Sequence, residues 1–264
     1  MSIELKKVSK RFVDNVVLDG VDFFVAEGET VALLGPSGVG KSVLLKHIIG
    51  LIKPDSGEVW VDGQQVPLLG RKELAALRSR IGYVFQNGAL FDSMDVFENI
   101  RLGITDETLY ADKDYCIQRV KECLRLVNLT EDVGRKYPSE LSGGMRKRVG
   151  ISRAIAGKPK YLLYDEPTSG LDPVNADVID ALVERLQQEL GVTSVVVTHD
   201  VRGSFRVADR IALLAQAKIR AVGTAEEIIA SQDPVVQQFL ERDLEMAMIQ
   251  ANEVPTTERR IGGR

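Results

Sequence analysis

The stretch "TVALLGPSGVGKSVLLK", residues 30–46, decides the fold class. A short apolar run enters a glycine-rich turn and leaves it as an amphipathic pattern headed by Lys41 and Ser42. Continuous apolar strands suit a parallel sheet buried on both faces, and strand, turn and helix in succession make the βα unit of α/β proteins. Gly35, Pro36, Ser37, Gly38, Val39, Gly40, Lys41 and Ser42 match the phosphate-loop pattern in full. In that pattern the glycines let backbone N–H groups close on phosphate oxygens, the lysine reaches the outer phosphates and the hydroxyl can ligate Mg2+. A chance glycine turn is the alternative; it leaves the strand before and the helix after unexplained.

Two further runs repeat the strand signal: "KYLLYDE" (160–166) and "VTSVVVTHD" (192–200). Asp165 at the first strand's end offers a metal-shell carboxylate, and Glu166 beside it can polarise an attacking water. Paired acids at a strand end also suit a solvated turn; an upstream phosphate loop tips the reading to chemistry. His199 ends the second run, at the edge where open α/β sheets bind ligands, although a lone histidine is often structural. Gln86 closes "IGYVFQ" and, taken alone, is compatible with a merely solvated strand end.

Working outward, residues 2–8, 16–25 and 57–66 read as strands with turns at 26–28 and 62–63, giving the opening an antiparallel character. From about 90 to 157 the periodicity turns helical, an insertion into the α/β core. Asp172 before Pro173 starts one helix, and Thr224 with Glu227 starts another in capping-box spacing. The expected organisation is a domain over 2–240, then a helical extension and mobile tail over 241–264, where Leu244, Met246, Met248 and Ile249 offer apolar handles.

Composition sets bounds. The chain has 264 residues, 44% of them apolar, enough for one large α/β domain with an inserted subdomain. With 34 basic and 38 acidic residues it has no global field that draws nucleic acid. Cys116 and Cys123 match no zinc or redox spacing and read as small core residues on one helix face, which fits a reducing cytosol. No run approaches the ~20 apolar residues that cross a bilayer, so work at a membrane needs a partner. The basic run Arg146–Arg148 reads as a solvated face, with contact to a partner subunit as the alternative.

A second anion-holding device lies in "SELSGGMRKRVGISRAIAG" (139–157), where Ser142, Gly143 and Gly144 form a helix start. Phosphate loop, Gln86, "LSGGM", "YLLYDE", "SGLD" and His199 stand in the order and rough spacing of an ATP-binding-cassette (ABC) transporter ATPase, which the chain resembles over about residues 2–240. The resemblance implies a P-loop core with a mixed, largely parallel sheet, an N-terminal antiparallel β-subdomain and an α-helical subdomain at about 90–157. It implies ATP and Mg2+ as cofactors, with Ser42, Gln86 and Asp165 around the metal, Glu166, His199 and Gln86 catalytic, and Phe12 stacked on adenine. A strand-end core role is the alternative for Phe12. In this family two copies pair head to tail, so Ser142, Gly143 and Gly144 would hold the nucleotide of the partner chain, and Ser169, Gly170, Leu171 and Asp172 would cross the dimer interface. Two phosphate-holding devices then serve one nucleotide from opposite sides.

The signature departs from the common family form by having Met145 in place of glutamine; the anion-holding glycines remain, and hydrolysis is expected to survive. With "FQNGALFDSMDVFENI" (85–100), the variant is similar to the Mla/Mce branch, associated with lipid movement between bacterial membranes. That similarity implies an integral permease, an MCE-domain lipid-binding protein, a small STAS-domain protein and a peripheral place on the cytoplasmic face of the inner membrane. Gln86 to Val96 would form much of the permease groove, with Leu90 and Phe91 as its exposed apolar patch, unless some of these are core. Another cargo, such as polar amino acids, is the second reading. A soluble cassette acting on DNA or ribosomes is the third, disfavoured by a single cassette without a basic patch.

Overall fold

The computed structural model describes residues 2–241. The chain opens with an antiparallel hairpin, β1 (Ile3–Phe12) and β2 (Asn15–Val25), in which Ile3 faces Val25 and Phe12 faces Asn15. Next come β3 (Thr30–Leu34), α1 (Lys41–Ile48), β4 (Ser56–Val61), β5 (Gln64–Gln65), α2 (Arg71–Arg78) and β6 (Ile81–Val84). The helical stretch holds α3 (Val96–Arg101), α4 (Glu107–Ala111), α5 (Lys113–Leu126) and α6 (Gly143–Ala156). The chain returns through β7 (Tyr161–Asp165), α7 (Pro173–Leu190), β8 (Thr193–Thr198), α8 (Val201–Val207), β9 (Arg210–Ala215), β10 (Lys218–Gly223) and α9 (Ala225–Ile229), and residues 234–241 are helical.

These strands form two sheets. One is antiparallel in the order β2-β1-β4-β5, and the other runs β10-β9-β3-β8-β7-β6, parallel from β9 to β6 with β10 antiparallel at its edge. The mainly apolar interior of β3 and β8 is what burial on both faces demands: Val31, Leu33, Leu34, Val195 and Val197 are each 1% exposed or less. Leu44, Leu45 and Ile48 of α1 share one core cluster with Val8 and Val59 of the antiparallel sheet and with Leu163 and Val195 of the parallel one. Each such side chain contributes roughly 2 kcal/mol of burial, so α1 welds the sheets together. A second cluster unites α3, α5, α6 and α7 over Leu162 and Tyr164 of β7.

The parallel register brings Leu34 beside Thr198, Asp165 beside Val197 and Val84 beside Tyr164. The loops that follow β3, β6, β7 and β8 therefore leave from one edge of the sheet, the crevice where such folds place ligands.

Several expectations are corrected. The first strand continues past residue 8 to Phe12, whereas the turn expected at 62–63 is present, with Asp62 and Gly63 both at positive φ between β4 and β5. Residues 90–95 are loop, because α3 begins only after Asp95, whose carboxylate caps it through Glu98 N–H. Cys116 and Cys123 are buried on α5, as expected of small core residues. The basic run is no uniform solvated face: Arg146 is exposed, but Lys147 lies buried on the inner side of α6. Leu90 packs on the helical core while Phe91 is exposed. The C-terminal handles Leu244, Met246, Met248 and Ile249 fall outside the described residues.

Candidate active site

The phosphate loop spans the gap between β3 and α1. Gly35 and Gly40 are required there by contact as well as by φ. A Cβ at Gly35 would stand 2.2 Å from the Leu214 carbonyl oxygen, and one at Gly40 would stand 2.5 Å from Val17. Their φ values of 153° and 113° lie where other residues are strained. Ser37 and Gly38 are exposed at the loop's crest, Val39 is half-buried, and Pro36 offers its carbonyl inward.

Lys41, at the head of α1, is 5% exposed and donates to the carbonyls of Gly35 (2.6 Å) and Pro36 (3.1 Å). Its ammonium also pairs with Glu166 Oε1 at 3.2 Å. Burial lowers the Lys41 pKa against the opposing pull of Glu166. One residue on, Ser42 Oγ donates to Asp165 Oδ1 at 2.6 Å, so α1 and β7 deliver a hydroxyl and a carboxylate to one point.

Glu166 sits between Lys41 and His199. His199 Nδ1 lies 2.7 Å from its Oε2, opposite the Lys41 contact. Burial pushes the Glu166 carboxyl up, but the His199 hydrogen bond and the Lys41 charge prevail and hold it below the ordinary carboxylate range. The same hydrogen bond raises His199 against its own partial burial. Glu166 also has φ of 51°, a left-handed backbone that costs a non-glycine residue about 1 kcal/mol or more.

The structure brings Lys41, Ser42, Asp165, Glu166 and His199 into one constellation. Gln86 is exposed, and its side-chain amide donates to Ser169 Oγ at 3.3 Å, linking the loop after β6 to the loop after β7. Phe12 is 43% exposed at the tip of β1, with the Lys10 ammonium 5.4 Å from its ring centre. Ser142 is exposed and caps α6 by accepting from Met145 N–H at 3.3 Å. Gly143 and Gly144 lie beside Leu171 and Asn175 of the same chain: a Cβ on Gly144 would stand 3.0 Å from Asn175 Oδ1. Gly170 is exposed with φ of 73°, and Asp172 caps α7 by accepting from Asn175 N–H at 3.1 Å.

Three residues escaped the sequence reading. Tyr83 donates its hydroxyl to Asp165 Oδ2 at 2.9 Å, fixing the carboxylate face that Ser42 does not touch. Asn99, fully buried, ties the 91–95 loop together by donating to the carbonyls of Phe91, Met94 and Asp95 and accepting from Phe91 N–H. Lys147 reaches the Gln86 carbonyl at 2.8 Å and the Glu166 carbonyl at 3.3 Å. Helical spacing could have flagged Lys147, which shares a face with Gly144 and Ile151; nothing local to Tyr83 announces that β6 pairs with β7.

The ABC transporter family model matches residues 18–169, from the hairpin through the phosphate loop to the acidic pair. The chain belongs to the ABC transporter family, as an ATP-hydrolysing cassette. It is 40% identical over 238 residues to the intermembrane phospholipid transport system ATP-binding protein MlaF of Haemophilus influenzae, a match covering 90% of this chain and 89% of that one. The methionine import ATP-binding protein MetN of Carboxydothermus hydrogenoformans is also 40% identical, over 90% of this chain and 70% of its own. Among solved structures, the dimeric post-hydrolysis state of the ATP-binding cassette MJ0796 bound to ADP and Pi superposes with a TM-score of 0.76 at 34% identity, covering 84% of this cassette and 98% of that one. Among the described residues of this cassette no helix is long and apolar enough to cross a membrane.

Proposed function

We propose that this cassette drives phospholipid transport between bacterial membranes as the ATPase subunit of an inner-membrane complex. The observation that carries the cargo is the 40% identity to MlaF, which spans nearly the full length of both chains. The geometry supports the hydrolysis itself.

The residues present fit Mg-ATP. Ser42 Oγ and Asp165 Oδ1 are hard oxygen donors 2.6 Å apart, the ligand type Mg2+ takes, and would hold the ion with Gln86 as a further oxygen donor. Bound there, Mg2+ would supply positive charge against the outer phosphates. Lys41 and the N–H groups of residues 35–42 hold the phosphate oxygens. Phe12 supplies an aromatic face to the adenine, a contact worth about 1–3 kcal/mol by analogy with other bases. Glu166, ionised across the neutral range, orients the attacking water and accepts its proton. Phosphate competes with Glu166 for both Lys41 and His199, so nucleotide binding frees the carboxylate to act as a base.

The exposed Ser142 and Gly143 and the segment Ser169–Asp172 form the face offered to a second copy, closing each nucleotide between the phosphate loop of one protomer and the signature of the other. A permease docks on the loop from Gln86 to Val96, where Phe91 is 53% exposed, and holds the cassette at the cytoplasmic face of the inner membrane. An MCE-domain lipid carrier and a small STAS-domain protein complete the proposed assembly.

The first test is affinity capture of Glu166→Gln protein from detergent-solubilised native membranes in Mg-ATP, with proteins and lipids identified by mass spectrometry. A permease, an MCE-domain protein and phospholipid are expected. Methionine import is the second reading, favoured by equal identity to MetN; a different permease with a soluble solute-binding protein would establish it and discard the lipid cargo.

A further inference from the structure

Lys147 is 7% exposed, and burial pushes its ammonium down to about 8 against the attraction of Glu166. An ammonium taken from water needs compensation, and here it comes from two backbone carbonyls, those of Gln86 and Glu166. The two belong to different loops, after β6 and after β7, and among the described residues α6 reaches both through one atom, Lys147 Nζ.

The surroundings show that α6 grips the first loop firmly. Arg153, two turns further along α6, donates to the carbonyls of Gly88 (2.9 Å) and Ala89 (2.7 Å). Gly150 packs so closely that a Cβ there would lie 3.0 Å from Gly88 Cα. Both Ala89 and Glu166 have left-handed backbones, with φ of 45° and 51°. Each strained residue has its carbonyl held by a cation from α6, Ala89 by Arg153 and Glu166 by Lys147. Strained backbone persists where its surroundings over-determine it, and these two contacts supply part of that determination.

We propose that Lys147 is a positioning residue for hydrolysis: it clamps the Glu166 peptide to the Gln86 peptide, so that the carboxylate is aimed only while the 86–89 loop is seated on α6. The inference rests on Glu166 being the catalytic base and goes beyond it by making that base answer to the loop proposed to meet the permease. Lys147 touches neither nucleotide nor water in this scheme. Its loss should spoil the orientation of Glu166 while leaving the phosphate loop intact.

The test compares full-length wild type with Lys147→Met, Lys147→Arg and Glu166→Gln, reading steady-state ATPase, cooperative melting and amide hydrogen exchange over 86–89 and 166–169. Lys147→Met is expected to lower kcat by about tenfold or more, to leave KM for ATP within about twofold, and to raise exchange in both segments together. Lys147→Arg, which keeps a cation able to donate to two carbonyls, is expected to restore kcat to within about threefold of wild type. Unchanged kcat in Lys147→Met, or exchange that rises in neither segment or only one, overturns the clamp. Failure of Lys147→Arg to rescue while it melts like wild type overturns it too. If Lys147→Met does not melt cooperatively, exchange and kcat of Lys147→Gln, whose uncharged amide is one bond shorter and loses the reach to both carbonyls, decide by the same criteria. Glu166→Gln separates the two levels: turnover near wild type there removes the base beneath the proposal, whereas a dead Glu166→Gln beside a fully active Lys147→Met removes the clamp alone.

Discussion

Glu166 lies between Lys41 and His199, and its chemistry at the residue scale is a matter of which proton sits where. His199, raised above its ordinary 6.5 by the Glu166 hydrogen bond, lends the fold stability that is complete below pH 6.5 and fades as the pH rises through the raised value. Glu166, held below its ordinary 4.5, contributes above pH 4.5 and loses that contribution as the pH falls through its lowered value. The pair is therefore worth most between these limits. The unfolding free-energy difference between wild type and His199→Gln should be largest at about pH 5–6 and shrink toward pH 8. An NMR titration of the His199 ring should return an apparent pKa above 6.5 that drops in Glu166→Gln; a ring indifferent to that substitution contradicts the pairing. Tyr83 makes the matching contact on Asp165. Burial first and then the Asp165 charge hold its phenol far above the usual range, so it stays a donor at every working pH. A hydrogen bond to a charged group is worth about 1.5–3 kcal/mol, and Tyr83→Phe should weaken Mg2+-dependent ATP binding by roughly tenfold while leaving metal-free nucleotide binding unchanged. Equal loss with and without Mg2+ would assign Tyr83 to packing.

At the scale of elements, α6 owes its end to a residue on a different helix. Arg119 of α5, 3% exposed, donates to the carbonyls of Ala156 (2.9 Å) and Ile155 (2.6 Å), the last turn of α6, and pairs with Glu122 at 2.7 Å. Arg119→Met keeps much of the volume but leaves the buried Ala156 carbonyl without its donor, at about 1–3 kcal/mol, while the Ile155 carbonyl keeps Lys158 N–H at 3.0 Å. Chemical denaturation should show a loss of about 1–3 kcal/mol, and a loss well below about 1 would mean water replaces the guanidinium. What was legible in the sequence divides along this line. Strands β3, β7 and β8 announce themselves because burial on both faces favours continuous, mainly apolar runs, and the phosphate loop because its glycines have no substitute. Caps at Asp172 and Thr224 were legible for the same local reason. The β9–β10 hairpin was not anticipated: its turn places Gln216 and Ala217 at φ of 52° and 63°, without the glycine or asparagine that normally marks such a turn. Arg119 and Tyr83 were illegible because their meaning lies in partners that the chain reaches only after folding, 37 and 82 residues away; the spacing of Lys147 marks a buried position but not its partner 61 residues away.

At the scale of the whole molecule, the question is why the chain carries Ser142 so far from its own phosphate loop in sequence and leaves it exposed. Within one protomer Gly143 neighbours Leu171, while the constellation around Lys41 and Glu166 is built from α1, β7 and the loop after β8. A helix start with a favourable dipole suits an anion, and in the proposed dimer a second copy's ATP would supply one. Cis and trans arrangements can be told apart by mixed dimers made in a Glu166→Gln background, where bound ATP is retained and counted. In the first dimer one protomer carries both Lys41→Ala and Ser142→Arg; in the second the two substitutions are split between protomers. If the signature acts in trans, the first dimer has both sites damaged, one at its phosphate loop and the other at its signature. The split dimer then has both lesions in the same site and keeps the other whole. Retained ATP should be near zero per dimer for the first and about one for the second. The reverse pattern, one nucleotide for the double-mutant protomer's dimer and none for the split, would mean that each chain closes its own site, and the proposed coupling of hydrolysis to opening and closing of the dimer would fall with it.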